Sequence, residues 1–162
     1  MAEVTVHGLK GSLESRHWAV ILKDANAARY LPIWIGPFQA NAIAIQLGDA
    51  NVGRPLSHDL LKTIIQEVGA GVSHILINDL VDNVFYARII MNVAGRHVEI
   101  DSRPSDAIAL AVRIKAPILV DEAVMRRAAI TLKPESKKIY AEEEDKLAIF
   151  RGFISSLDLD DS

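Results

Sequence analysis

The sequence predicts an α+β fold, with a mainly antiparallel or mixed β-sheet and packed helices. Apolar runs with strand periodicity and segments with helical periodicity are interspersed, without the regular alternation that a parallel sheet requires. The chain has 162 residues, 50% of them hydrophobic, which suits one domain with a substantial core. We expect one main domain over residues 1–131 and an appendage over residues 132–162.

Three strands are expected in the first part of the chain. Strand periodicity or an apolar run is present in VTVHGL, HWAVILKD and YLPIWIG. Because Pro32 has no N–H to donate to a neighbouring strand, the third strand should lie at a sheet edge or begin late. A helix follows Gly36 and Pro37 in FQANAIAIQL. Its nearly all-round apolar surface predicts burial in the core or at a subunit contact.

An amphipathic helix is expected in LSHDLLKTIIQEVGAG. Its apolar stripe comprises Leu60, Leu61, Ile64, Ile65 and Val68. Ser57 is the expected N-cap, and Gly69 or Gly71 can adopt the left-handed conformation that ends a helix.

Three more strands are expected in the rest of the main domain, in VSHILIND, NVFYARIIMNV and RHVEID. A helix should follow from Pro104 to about Lys115. A short buried strand and a small helix should follow in ILVDEAVMRRA. Beyond residue 131, KPESKK is typical of a linker. The segment AEEEDKLAIFRGFISSL predicts an acidic amphipathic C-terminal helix whose apolar face requires a partner.

Composition excludes several classes of function. The absence of cysteine rules out disulfides, a thiolate nucleophile and sulfur-ligated zinc. A signal peptide and a membrane span are not recognisable, so we expect a cytoplasmic protein without membrane contact. A net charge of -3 provides no global basic field, so nucleic acid would have to bind a local patch. The apolar content favours a homo-oligomer, a dimer or larger.

A two-residue turn at Ala94 and Gly95 would organise the polar residues of one hairpin. The resulting register places Arg88 opposite Asp101 as a cross-strand ion pair and brings both toward Arg103 at the start of the next helix. This cluster could bind an anion such as phosphate beside the helix N-terminus. It could also be an ordinary solvated sheet face, which geometry alone favours.

The carboxylates of this region have two interpretations. Asp101 and Glu99, with Asp106 nearby, offer the hard oxygen ligands that Mg²⁺ or Mn²⁺ prefers, and such a cation could activate water at a phosphodiester. Alternatively, Asp106 stabilises the positive end of its helix and Asp101 pairs with Arg88. We find no glycine-rich phosphate loop or other motif for an organic cofactor.

Arg103 is an unsuitable helix cap. It precedes Pro104 and should take the N-cap position, yet its side chain has no hydrogen-bond acceptor. Either Ser102 and Asp106 satisfy the free N–H groups of the helix, or a bound anion does. This local mismatch indicates a functional site.

His58 is a candidate general base because imidazole titrates near neutral pH. The alternative is an ordinary polar residue at a helix start. The aromatic residues Trp18, Tyr30, Trp34 and Phe38 are expected in the core or an interface rather than as platforms for stacking nucleic-acid bases.

Four segments, RYLPIWIGPFQANAIAIQL, RPLSHDLL, NVFYARI and EIDSRPSDAIALAVR, resemble the bifunctional nuclease family in their order and spacing. The resemblance covers roughly residues 2–130 and implies an α+β fold, oligomerisation and nuclease activity on DNA and RNA. The matching polar positions are Arg54, Pro55, His58, Asp59, Ser102, Arg103, Pro104, Ser105 and Asp106.

The resulting hypothesis is a divalent-metal-assisted nuclease in a bifunctional nuclease-like domain, residues 1–131. The expected catalytic residues are Asp101, Asp106, Arg103 and His58. The expected substrate contacts are Arg88, Ser102, Ser105, Arg54 and Asp59. Asp101 and Glu99 are the expected metal ligands. The competing hypothesis is a non-catalytic oligomeric module that binds an anionic ligand or a protein partner.

Overall fold

The computed structural model describes residues 1–12 and 16–131. The elements in chain order are β1 (Ala2–Ser12), β2 (His17–Asp24), β3 (Arg29–Ile35), α1 (Pro37–Leu47), α2 (Ser57–Glu67), β4 (Gly71–Val81), β5 (Val84–Val93), β6 (Arg96–Ser102), α3 (Pro104–Ile114), β7 (Ile118–Val120), α4 (Glu122–Ala128) and β8 (Ile130–Thr131). The α+β prediction is confirmed. The linker and acidic helix predicted over residues 132–162 lie outside the described residues.

Within the described residues, the strands form one mixed sheet in the order β6-β5-β4-β7-β1-β2-β3-β8. Only β4 and β7 run parallel there, and the other neighbouring pairs are antiparallel. Strand β8 pairs with β3 at Arg29 and Tyr30 alone. Strand β8 does not extend to Pro32, so on the side away from β2 this residue lies at a sheet edge, as predicted. Its missing N–H therefore removes no hydrogen bond to β8.

Helix α3 is the central helix of the fold and contacts α1, α2, β4 and β5. Its side chains Ala107, Ile108 and Leu110 are fully buried, which supplies much of the stabilisation that holds the helices on the sheet.

One face of α1 is buried in the core of this chain, and burial of the other face at a subunit contact stays a prediction. Ala40 and Ile43 are buried, but Phe38 is 84% exposed and Leu47 is 47% exposed. The helix therefore packs on one side, and its remaining apolar surface faces away from the core of this chain.

The β5–β6 hairpin has the predicted register, with Arg88 opposite Asp101. Its turn residues Ala94 and Gly95 both have positive φ, 52° and 81°, as a type I′ turn requires. The predicted ion pair is wrong, because Arg88 Nη1 instead contacts Glu99 Oε2 at 3.4 Å. Glu99 is the diagonal neighbour of Arg88 across the ladder, and a long side chain can reach it.

Candidate active site

His58 and Asp106 form a hydrogen-bonded pair between α2 and α3. His58 Nε2 lies 3.0 Å from Asp106 Oδ1. The His58 side chain is 14% exposed and that of Asp106 is 48% exposed, so the pair is partly enclosed but still reached by solvent. The sequence predicted both residues as catalytic candidates, and the structure brings them together.

The neighbouring Asp59 holds the start of α2 in place. Its Oδ1 accepts from Arg113 Nε at 2.7 Å, and its Oδ2 accepts from the Leu56 N–H at 2.9 Å. These contacts make Leu56 the N-cap of α2, and the predicted N-cap Ser57 is wrong, because the helix begins one residue earlier than the side-chain pattern indicated. Asp59 was a predicted substrate contact, and both of its oxygens are used inside the protein.

Arg113 joins the helices beneath this site. Its side chain is 1% exposed. Nη1 donates to the Ala109 carbonyl and Nη2 donates to the Ala42 carbonyl of α1. The hydrogen bond from the Leu56 N–H lowers the pKa of Asp59, and so do the hydrogen bond and the positive charge of Arg113. Burial acts in the opposite direction and raises this pKa. The buried Arg113 charge is thereby paired with a carboxylate and two carbonyl groups, which fixes Asp59 at the start of α2.

An open cleft of about 300 Å³ surrounds the His58–Asp106 pair. Its lining residues are Phe38, Gln39, Asn41, Ala42, Leu56, Ser57, His58 and Asp106. Phe38 extends into solvent at the cleft, so it is outside the core of this chain, and its alternative place in an interface stays a prediction. A polar substrate therefore has access to the imidazole and a flat apolar ring beside it.

The pair can perform general acid–base chemistry. With the proton on Nε2, His58 donates to the Asp106 carboxylate, and Nδ1 becomes the ring nitrogen that can accept a proton. When the imidazole accepts a proton, a carboxylate that orients it in this way also stabilises the resulting imidazolium. The arrangement is therefore suited to activating a water molecule or a hydroxyl group.

The N-terminus of α3 lacks the caps that the sequence allowed. Arg103 is the N-cap, in extended conformation, without a side-chain cap hydrogen bond. The Ser102 hydroxyl donates to the Arg103 carbonyl at 2.9 Å, and Asp106 Oδ1 accepts from His58 Nε2 across the helix pair. Neither side chain is given a hydrogen bond from the first N–H groups of α3.

A second cleft, of about 470 Å³, lies at this helix N-terminus. Its lining residues are Ile33, Trp34, Ile35, Gly36, Gln39, Asn83, Val84, Phe85, Arg103, Pro104 and Ser105. Gln39 borders both clefts. Trp34 is 47% exposed, so of the two expected places, core or interface, the core of this chain is excluded.

Other predicted residues lie outside the two clefts. Arg88, Glu99 and Asp101 are on exposed positions of the β5–β6 hairpin, and Arg54 is in the exposed loop before α2. None of these four residues lines either cleft.

The predicted metal ligands Asp101 and Glu99 lie at exposed positions of β6. Residues 1–12 and 16–131 contain no group of three or more His, Cys, Asp or Glu side chains placed to hold a metal ion. Glu99 instead contacts Arg88 and lies 3.7 Å from His97. Two carboxylates can hold Mg²⁺ when water and a substrate phosphate complete its coordination, so the metal site at Asp101 and Glu99 stays a prediction.

Sequence reasoning missed Gln39, Asn83 and Arg113. Arg113 had a signal, since it is a charged residue within the apolar run AIALAVRI, and a charge in such a run is usually paired. Gln39 and Asn83 had none, because they come from separate parts of the chain and meet α3 only after folding.

The fold and the site define an α+β protein with a histidine–carboxylate pair at the junction of three helices. The chain belongs to the bifunctional nuclease domain family, whose model matches residues 20–133. It is 37% identical to an uncharacterized protein of Mycobacterium tuberculosis over 99% of this chain and 98% of that protein.

Plant relatives are more distant. The chain is 28% identical to bifunctional nuclease 2 of Oryza sativa over 80% of this chain and 41% of that protein. It is 27% identical to bifunctional nuclease 1 of Arabidopsis thaliana over 65% of this chain and 34% of that protein. It spans less than half of either plant protein. No described helix is long and apolar enough to cross a membrane.

Proposed function

We propose that this protein hydrolyses phosphodiester bonds of DNA, RNA or both, with His58 as general base and Asp106 as the residue that orients it. The observation that carries the proposal is the 3.0 Å contact between His58 Nε2 and Asp106 Oδ1 in an open cleft, in a chain of the bifunctional nuclease family. Two positions that matched the family pattern in separate segments thereby form one chemical unit.

The proposed reaction is a single displacement at phosphorus. His58 accepts a proton from water as the water oxygen forms a bond to phosphorus, and the bond from phosphorus to the leaving sugar oxygen breaks. The His58 imidazolium then returns its proton to solvent, and the leaving oxygen receives a proton from solvent, so the products are a phosphomonoester and an alcohol. General base catalysis of this kind typically contributes about 10²–10⁴-fold.

The described residues contain no group of three or more potential metal ligands, so the proposed reaction uses the groups of His58 and Asp106 alone. The expectation of a divalent cation is a separate proposal that the assay below tests. Arg103 and Ser105 remain the proposed substrate contacts, since they line the cleft next to the pair. The positions of Arg54, Arg88 and Asp101 give no comparable support for direct contact.

We also propose that the chain forms a homo-oligomer through α2. Leu60, Ile64 and Val68 occur at four-residue intervals and are 53%, 51% and 69% exposed. Leu61 and Ile65 of the same predicted stripe face the core instead. An exposed apolar row on a helix favours burial against another surface.

The test is a cleavage assay on single-stranded DNA and RNA with Mg²⁺, with Mn²⁺ and with chelator. His58→Asn is compared with His97→Asn, a matched control at an exposed histidine of β6. We expect His58→Asn to lose about 10²-fold or more of the rate and His97→Asn to retain it. Folded wild-type protein without cleavage above an identically purified blank would leave the non-catalytic binding module as the function.

A further inference from the structure

We propose that the cleft at the N-terminus of α3 is a phosphate-binding subsite, distinct from the His58–Asp106 pair, formed by Arg103, the Ser105 hydroxyl and the first free N–H groups of α3. The proposal deepens the proposed nuclease function and rests on it, since it names the site that holds a phosphate of the nucleic-acid chain beside the reacting one.

The first observation is the set of unsatisfied backbone donors. Pro104 has no N–H, and the Ala107 N–H donates to the Arg103 carbonyl at 3.1 Å. The N–H groups of Ser105 and Asp106 have no hydrogen-bond acceptor among the described residues. Two adjacent N–H groups at the positive end of a helix are a favourable environment for an anion.

The second observation concerns a side chain rather than the backbone. Ser105 is 7% exposed and lines the cleft, yet its hydroxyl makes no hydrogen bond to another residue of the described part of the chain. Among the described residues, the fully buried side-chain oxygen or nitrogen atoms without a partner do not include this hydroxyl, so its oxygen is open to the cleft. A ligand oxygen in the cleft would supply the missing acceptor.

The third observation is the nearby charge. Arg103 is exposed at the cleft and forms no ion pair with another described residue, whereas Arg29, Arg88 and Arg113 are each paired with a carboxylate. Its guanidinium can bind two oxygens of a phosphate at once. Arg103 is thus available to an external anion.

The walls of the cleft fit the remainder of a nucleotide. Trp34 and Phe85 line it together with the amide side chains of Gln39 and Asn83. Aromatic rings can contact a base or sugar, and amides can hydrogen-bond base edges. Because Gln39 also borders the cleft of the His58–Asp106 pair, a bound chain could continue from the subsite to the proposed catalytic base.

The test measures binding rather than cleavage. Fluorescence anisotropy follows a labelled thymidine oligonucleotide in the His58→Asn background, where the probe should stay intact. We expect Arg103→Gln to weaken binding about tenfold and Ser105→Ala about fivefold, as for the loss of a charged and a neutral hydrogen bond. Arg96→Gln, which removes the same charge at the β5–β6 turn, should change affinity less than twofold.

A second readout locates the ligand in the full-length wild-type protein. Titration with inorganic phosphate, followed by amide NMR spectra, should shift the Ser105 and Asp106 N–H signals most. Comparable shifts of amide signals far from the cleft would overturn the subsite. Equal weakening of oligonucleotide binding by Arg96→Gln and Arg103→Gln would also overturn it.

The outcomes separate the two proposals. Binding that depends on Arg103 and Ser105 in a protein that cleaves nothing supports the subsite and removes the nuclease function. Cleavage that depends on His58, with binding unaffected by Arg103→Gln and Ser105→Ala, supports the nuclease function and removes the subsite.

Discussion

His58 and Asp106 are 48 residues apart in the sequence and share a 3.0 Å hydrogen bond. Asp106 occupies the first turn of α3, where a carboxylate commonly stabilises the helix end. Here it also faces an imidazole in an open cleft. The same side chain therefore has a local role in its helix and a role in the candidate site.

Replacement of Asp106 by Asn should lower cleavage at least tenfold without unfolding the protein, because the amide cannot stabilise the imidazolium as the carboxylate does. Initial rates on single-stranded DNA measure the effect, and circular dichroism checks the fold. Asp101→Asn is the matched control on the adjacent hairpin. If Asp101→Asn loses as much activity as Asp106→Asn, the assignment of the site to the His58–Asp106 pair is wrong.

Replacement of Asp59 by Asn should destabilise the protein by about 3 kcal/mol at pH 7, because it leaves the buried Arg113 charge without its carboxylate. Urea unfolding at several pH values measures this free energy. Since the pKa of Asp59 is lowered in the folded state, its contribution is present above the ordinary carboxyl range and is lost as pH falls through the folded pKa. The difference between wild type and Asp59→Asn should therefore shrink below about pH 4. Glu67→Gln, at the exposed end of α2, should show no such convergence.

Replacement of Ala94 by Asn should raise the free energy of unfolding by about 0.5–1 kcal/mol. Ala94 has a φ of 52°, a conformation that Asn tolerates better than Ala and that type I′ turns favour. Thermal or urea unfolding measures the gain. Ala94→Val is the opposite control and should lose stability, because a β-branched residue rarely adopts positive φ. A stabilised valine variant would contradict the turn assignment.

Replacement of Gly11 by Ala should cost about 1–3 kcal/mol through overpacking. Gly11 pairs with Trp18 across β1 and β2, and an added Cβ would overlap the Trp18 ring. Near-ultraviolet circular dichroism should report the displaced ring together with the loss of stability. Gly8→Ala is the matched control in the same strand, because a Cβ there meets no atom within 4 Å.

Replacement of Ile64 by Glu should reduce the molar mass of the particle measured by light scattering, if α2 forms the proposed contact between subunits. A charge on a buried apolar interface is strongly unfavourable. Thr63→Glu, at the neighbouring exposed position, should leave the mass unchanged. A monomeric wild-type protein would remove the oligomer proposal.

Local physics explains why much of the fold was predictable. The β5–β6 register followed from one two-residue turn and the alternation of side chains, and both depend on a few neighbouring residues. The α3 boundaries followed from Pro104 and from the apolar spacing after it. The ion partner of Arg88 was not predictable in the same way, because sheet twist decides which of two carboxylates a long side chain reaches.

The sequence by itself determined the elements, the hairpin register, the unsuitable cap at Arg103 and the family to which the chain belongs. Only the tertiary structure decided which polar residues meet. The contact of His58 with Asp106 depends on how α2 crosses α3, and the buried Arg113 holds that crossing through Asp59 and the Ala42 carbonyl. Periodicity and capping act over a few residues of one chain segment. The packing of separate helices depends on the volume and hydrogen bonds of the whole core, which a local pattern does not encode.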